Sequence, residues 1–285
     1  MKKQSENIIP EQRRALVLGH IQREGVVSVQ KVAQLIGTSV ATVRRDFAEL
    51  ANRGMIVRIH GGAMLALSQQ TTFEPDYHFT SKVFVSEKEA IGKVAAELLQ
   101  PRQSVLFDSS STVFQAARFV VERGIPILAL TNDLNIANAL ADAPRVELKV
   151  TGGSLRSGSF TLVGDPGRSF LGSLHVDVCF LGIHAIALRP HHNNSGSNKD
   201  PCATLSDTSL EVVAMKRQMV RAARKKVVLV DSSKFGISAF CDVCTLDYID
   251  IIITDRNIQP DQQRCLERNG IQVIIADQEK VEKTA

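Results

Sequence analysis

"SVQKVAQLIGTSVATVRRDFAELANRGMIVRIHGGA", residues 28–63, decides the architecture of the first part of the chain. Val29, Val32, Ala33 and Ile36 recur at the spacing of one helix face, with Ser28 placed to cap the N-terminus and Gly37 to break the helix. Thr38 or Ser39 then caps a second helix whose Val40, Val43, Phe47 and Leu50 turn inward. That leaves Ser39, Thr42, Arg44, Arg45 and Glu49 toward solvent or a ligand. Two short helices joined by a glycine-containing turn form a helix-turn-helix, whose second helix offers its N-terminal residues to the DNA major groove. Hydroxyls and guanidinium forks suit phosphate and guanine edges.

The flanks extend the pattern. Upstream, "EQRRALVLGHIQREG" predicts a first helix with Val17, Leu18 and Ile21 on its apolar face and Gly25 as its stop. Downstream, "MIVRIH" has strand character and Gly61-Gly62 predicts a hairpin turn, hence a wing carrying Arg58 and His60 close to the DNA backbone. The candidate DNA contacts are Ser28, Thr38, Ser39, Thr42, Arg44, Arg45, Arg58 and His60.

Charge agrees with that division. Residues 1–64 hold 10 Lys and Arg against 5 Asp and Glu, whereas the rest of the 285 residues hold 24 against 25. All of the positive excess sits in the first quarter, as expected for a head that meets a polyanion and a neutral body with another task. No apolar run is long enough to span a membrane and the N-terminus lacks the apolar stretch of a signal peptide, so the expected location is the cytoplasm. The five cysteines, at 179, 202, 241, 244 and 265, form an odd, scattered set unlike a disulfide framework. Cys241 and Cys244 make a lone CxxC without a second ligand pair, and no metal or cofactor is expected.

These residues resemble the N-terminal winged helix of the DeoR-type bacterial transcription regulators. The match runs through Thr42, Val43, Arg44, Arg45, Asp46, Arg58, His60, Gly61, Gly62 and Ala63. Asp46 is suited to holding a neighbouring arginine in place rather than to touching DNA.

After a predicted linker at 65–85, Ser86-Glu87-Lys88-Glu89 reads as a capping box that opens a helix with Ile91, Val94, Ala95, Leu98 and Leu99 on its apolar face. Seven segments then read as buried strands: 104–107, 126–131, 146–151, 176–183, 226–231, 249–254 and 271–276. Their continuous apolar character predicts a parallel or mixed sheet covered by helices. The expected organisation is an α/β protein: a winged helix-turn-helix domain at 1–64, the linker, and an α/β domain at 86–285 that senses a ligand and assembles the chain.

Ligands of such sheets bind at the carboxyl ends of strands. Those ends carry Asp108-Ser109-Ser110-Ser111-Thr112, Thr131-Asn132, Gly152-Gly153, and Asp231-Ser232-Ser233-Lys234. Hydroxyls, an amide, glycines and an ammonium suit a phosphorylated polyol. The resemblance covers about residues 86–256. It implies a domain similar to ribose-5-phosphate isomerase that senses a sugar phosphate without converting it. Ser109, Ser110, Ser111, Thr112 and Lys234 would hold phosphate, with Asp108 and Asn132 nearer the sugar hydroxyls. Thr131, Gly152 and Gly153 also match the family's motifs.

Two departures stand out: Ser110 where the family has glycine, and the polar stretch at 184–204, which reads as a mobile insertion or lid. "RAARKK" at 221–226 reads as a basic helix end. The expected function is a repressor of carbohydrate catabolism genes. Its expected partners are a double-stranded DNA operator, a phosphorylated sugar or sugar alcohol, and further copies of itself. The alternative is an isomerase- or deaminase-like enzyme carrying a DNA-binding head, with Asp108 and Glu211 as its acid–base candidates.

Overall fold

The computed structural model describes residues 9–24, 26–65, 71, 77–188 and 203–277. The chain divides into two compact units, Met1–Val85 and Ser86–Ala285.

In the first unit, α1 (Pro10–Glu24), β1 (Val26–Ser28), α2 (Val29–Ile36) and α3 (Val40–Asn52) precede a hairpin of β2 (Ile56–Ile59) and β3 (Gly62–Leu65). Ser28 Oγ accepts the backbone N–H of Lys31, and Gly37 closes α2 in the left-handed region at φ 70°. Ser39, not Thr38, caps α3 by accepting the N–H of Thr42. Val17, Leu18, Ile21, Val32, Val43, Phe47 and Leu50 are buried together in one core. Two expectations change here. Ile59 pairs with Gly62, so the hairpin turn is His60-Gly61 and Gly62 already belongs to β3. The reason is β1, a third strand paired antiparallel to β3. A Cβ at Gly62 would collide with the carbonyl oxygen of Val27, so this close strand crossing requires glycine. Within the predicted linker, a short helix α4 (Tyr77–Thr80) forms and Val83 is buried in the same apolar cluster.

The second unit begins with α5 (Val85–Glu97), β4 (Ser104–Phe107), α6 (Ser111–Arg123), β5 (Ile127–Thr131), α7 (Leu134–Ala141) and β6 (Val146–Val150). A small hairpin of β7 (Ser154–Leu155) and β8 (Leu162–Val163) follows, then α8 (Gly167–Gly172), β9 (Val176–Gly182), β10 (Ala185–Leu188) and β11 (Ala203–Asp207). The chain continues through α9 (Leu210–Ala222), β12 (Ala223–Leu229), β13 (Cys241–Thr245), β14 (Ile251–Asp255), α10 (Pro260–Arg268) and β15 (Gln272–Ala276). Seven strands form one parallel sheet in the order β15-β14-β12-β9-β4-β5-β6.

Strand residues alternate between two covered faces. Val105 and Phe107 join Ile91, Ala116 and Leu140 of α5, α6 and α7, while Leu106 joins Met215, Met219 and Leu266 of α9 and α10. The expected parallel sheet with helices on both faces is therefore present. Five of the seven strands are largely buried, but β6 and β15 form the sheet edges and expose part of their residues, correcting the expectation that all seven are buried.

Other boundaries also shift. Helix α5 starts at Val85, so Ser86 lies inside it rather than capping it. The ends of the 184–204 stretch are strands β10 and β11, which join β13 in a separate antiparallel sheet; residues 189–202 lie outside the described residues. Of the 221–226 basic run, only Arg221 and Ala222 are helical, and residues 223–226 open β12. Among the described residues no helix is long and apolar enough to cross a membrane.

Helices α5 and α6 meet backbone to backbone. A Cβ at Gly92 would stand 2.6 Å from Gln115 Cβ and 2.7 Å from Ala116 N. Gly92→Ala is expected to lower unfolding free energy by about 1–3 kcal/mol through overpacking, read by urea denaturation.

Candidate nucleic-acid interface and small-molecule site

On α3, Val43, Phe47 and Leu50 are buried while Ser39, Arg44 and Arg45 are exposed and Thr42 is half-buried. Ser39 Oγ and Thr42 Oγ1 stand 2.8 Å apart and hydrogen-bond to each other at the start of the helix. Arg58 on β2 and His60 in the wing turn are exposed, as is Ser28, whose hydroxyl is committed to its cap. Thr38 is half-buried, and its N–H closes the end of α2 on the Ala33 carbonyl.

The buried Asp46 does hold an arginine, but it is Arg13 of α1, at 2.6 Å from Nε and 3.1 Å from Nη2, with Arg14 at 3.9 Å. Sequence proximity to Arg44 and Arg45 hid this partner thirty-three residues upstream. The other described carboxylates of this unit are paired as well. Glu11 binds Arg14 and Arg53, Glu49 binds Arg53, and Glu24 binds Lys31. Arg44, Arg45 and Arg58 have no such partner among the described residues and supply the unbalanced positive charge.

In the second unit the winding direction reverses between β4 and β9. From β4 the chain proceeds outward to β5 and β6, and from β9 it proceeds the other way to β12, β14 and β15. The crevice beyond the carboxyl ends of β4 and β9 is the switch point where such sheets take ligands. Asp108 stands there, almost fully buried. Its Oδ2 accepts Lys216 Nζ at 2.5 Å and the Gly182 N–H at 3.0 Å. Lys216 Nζ also donates to the Gly182 carbonyl and lies 3.4 Å from Asp207 Oδ2. Burial pushes the Asp108 carboxyl above the ordinary range despite Lys216. Burial works against the Lys216 ammonium too, but Asp108 and Asp207 hold it protonated and raise its pKa. Asp108 Oδ1 is buried with no hydrogen-bond partner among the described residues.

The predicted cradle lies beside this group. Ser110 caps α6 by accepting the Thr112 N–H, and its side chain occupies the place a Cβ at Gly182 would need. A glycine inside the apolar run 176–183 is the sequence signal for that close approach. Ser109, Thr131 and Asn132 are committed to framework bonds. Ser109 donates its N–H to Asn132 Oδ1 and its hydroxyl to Asp133 Oδ2; Asn132 Nδ2 donates to the Leu162 carbonyl; Thr131 Oγ1 donates to the Phe107 carbonyl. Burial raises the pKa of Asp133, against the bonds it accepts from Ser109 and from backbone N–H groups.

Gly152 and Gly153 adopt positive φ of 76° and 115°, and a Cβ at Gly153 would stand 2.5 Å from the Val163 carbonyl oxygen. Backbone packing thus requires glycine at 153, while at 152 it is the left-handed φ that favours it. The hydroxyls of Ser111 and Thr112 and the ammonium of Lys234 make no hydrogen bond among the described residues. Lys234 ends a short 3₁₀ turn opened by Asp231, whose carboxyl accepts the Ser233 N–H. Burial alone would raise the Asp231 pKa, but Lys234 and Lys88 pull it below the ordinary range.

Sequence reasoning did not assign site roles to Lys88, Asp133, Gly182, Asp207 or Lys216. Glu211 is exposed in the first turn of α9, whereas Asp108 is buried against Lys216. Cys241 and Cys244 are free thiols on strand β13, and the described residues contain no cluster able to hold a metal.

Residues 13–69 match the DeoR-like helix-turn-helix domain, and residues 83–256 match the DeoR C terminal sensor domain. A protein of Escherichia coli O157:H7 named as a repressor of the aga operon is 34% identical over 93% of each chain. The transcriptional repressor GlcR of Bacillus subtilis is 28% identical over 95% of this chain and 98% of its own. The glycerol-3-phosphate regulon repressor of Escherichia coli K12 is 29% identical over 86% of this chain and 90% of its own. The solved structure of ribose 5-phosphate isomerase A from Methanocaldococcus jannaschii covers 52% of this chain and 53% of its own, at TM-score 0.36 and 15% identity, too little for an argument from likeness. The chain belongs to the DeoR family of transcription regulators.

Removing the ammonium between Asp108 and Asp207 leaves two buried carboxylates facing each other. Lys216→Met is expected to lose about 3–5 kcal/mol of stability at pH 8. The loss is expected to be smaller at pH 5, because a carboxyl whose folded pKa exceeds its unfolded value costs stability as pH rises. Denaturant titrations at the two pH values check both statements.

Proposed function

We propose that this protein is a DNA-binding repressor of carbohydrate catabolism genes, released from its operator by a phosphorylated sugar or sugar alcohol. The observation that carries this reading is the charge balance of the head. Its described carboxylates are already paired, while Arg44, Arg45 and Arg58 present unbalanced charge on the helix and wing that such folds set against DNA. The effector reading is supported by Ser111, Thr112 and Lys234, whose side chains make no hydrogen bond among the described residues at the ends of β4 and β12, the strands on either side of β9. Ser109, Ser110, Asn132, Gly152 and Gly153 then shape the backbone around that cradle.

Relatives named for repression of the aga operon and of the glycerol-3-phosphate regulon support a carbohydrate-related target. The active species in this reading is a cytoplasmic homo-oligomer whose heads meet two half-sites, with 1–64 as the DNA-binding part and 86–285 as the sensor. The bound effector favours an arrangement of lower DNA affinity, which requires different effector affinity for the two arrangements.

Fluorescence anisotropy of the full chain on DNA from upstream of its own gene, titrated with sugar phosphates at fixed salt, tests this. One phosphorylated compound is expected to release DNA while its unphosphorylated parent does not. Arg44→Ala and Arg45→Ala are each expected to weaken binding about tenfold or more. A side chain that contacts phosphate also contributes about 0.9 to the slope of log affinity against log salt. Unchanged affinity and slope in both variants would remove α3 as the reading helix.

A further inference from the structure

Helix α5 carries a buried lysine that the sequence motifs do not assign. Lys88 is 5% exposed, among the least accessible charged groups of the chain. It lies one turn before Gly92 on the same helix face, where α5 meets α6 in backbone contact opposite Gln115 and Ala116. One turn before those residues, α6 begins with Ser111 and Thr112. From the carboxyl end of β12, Asp231 and Lys234 come within electrostatic reach of Lys88. Three segments distant in sequence thus bring a buried ammonium, a half-buried ammonium, a buried carboxylate and two hydroxyl side chains toward one region.

We propose that Lys88 is a second cationic ligand for the anionic group of the effector, acting with Lys234 at the Asp231 turn. This rests on the reading of the strand ends as an effector site and adds a residue and a helix to it. The electrostatics support the geometry. Burial outweighs the attraction of Asp231 and Glu87, Lys234 adds repulsion, and the Lys88 pKa falls to about 8. Holding this charge is costly in the folded protein, and a phosphoryl dianion entering beside it relieves that cost.

The test measures binding of inorganic phosphate to the full chain by calorimetry, with thermal unfolding as a second readout. Lys88→Met and Lys234→Met are each expected to weaken phosphate binding at least tenfold and to abolish the phosphate-induced rise in Tm. Lys88→Met, which removes a costly buried charge, is expected to unfold as cooperatively as the unsubstituted chain in the absence of phosphate, which shows that the variant is folded. If Lys234→Met loses phosphate and Lys88→Met does not, the role of Lys88 is overturned and the effector site stands. If the unsubstituted chain does not bind phosphate, both fall.

Should Lys88→Met fail to fold, pH dependence decides. Among the described residues, Asp231, Lys234 and Glu87 are charged groups that act on Lys88, and Lys234→Arg fixes the charge at the other lysine. In that variant, phosphate affinity is expected to fall about tenfold between pH 8 and 9.5, where the ligand is already a dianion. A flat profile overturns the proposal.

Discussion

The salt bridge from Lys216 to Asp108 spans the point where the sheet changes direction. A parallel sheet wound outward both ways leaves its two central strands, β4 and β9, without a crossover helix closing the gap at their carboxyl ends. Polar backbone groups there require partners, and Lys216 supplies one by donating to both Asp108 Oδ2 and the Gly182 carbonyl. Its ammonium joins the end of β4, the end of β9 and, through Asp207, the end of β11. The serine-rich turn and the cap of α6 grow directly from Asp108, so their position follows from this bond. Helix α9 is anchored by the same ammonium and packs Met215 and Met219 beneath the sheet.

The head follows a different economy. Its apolar core is small, and ion pairs between helices add to it. Asp46 on α3 binds Arg13 on α1, and Glu11 on α1 binds Arg53 just beyond α3. These pairs tie α3 to α1. They also consume the negative charge that would otherwise sit beside Arg44 and Arg45. Interhelical ion pairs and the positive surface of α3 therefore come from the same distribution of side chains.

Much of this was legible in the sequence because it is local. The period of Val29, Val32 and Ala33, the capping hydroxyls of Ser28 and Ser39, and the left-handed Gly37 each act within one turn of chain. The predicted segments marked all seven strands of the main sheet, most plainly the five inner ones, since buried parallel strands need continuous apolar character. Partners across the fold were not legible. Nothing near Asp46 in sequence points to Arg13, and Lys216 and Lys88 read as ordinary helix lysines until Asp108 and Asp231 are placed beside them. Short strands such as β1, β10 and β11 were hidden for the same reason, because pairing across the chain creates them. Asn132 and Gly153 show the converse: motif residues with the chemistry of a ligand site that the fold already uses for its own backbone.

The edge strand β6 has a consequence for assembly. Its exposed side carries Glu147 and Lys149, which pair with each other at 2.9 Å. Charged side chains along an open strand disfavour its extension by another strand, since a neighbour would have to strip their hydration while matching their signs. The main sheet is therefore guarded at this edge against pairing with an exposed strand of another chain.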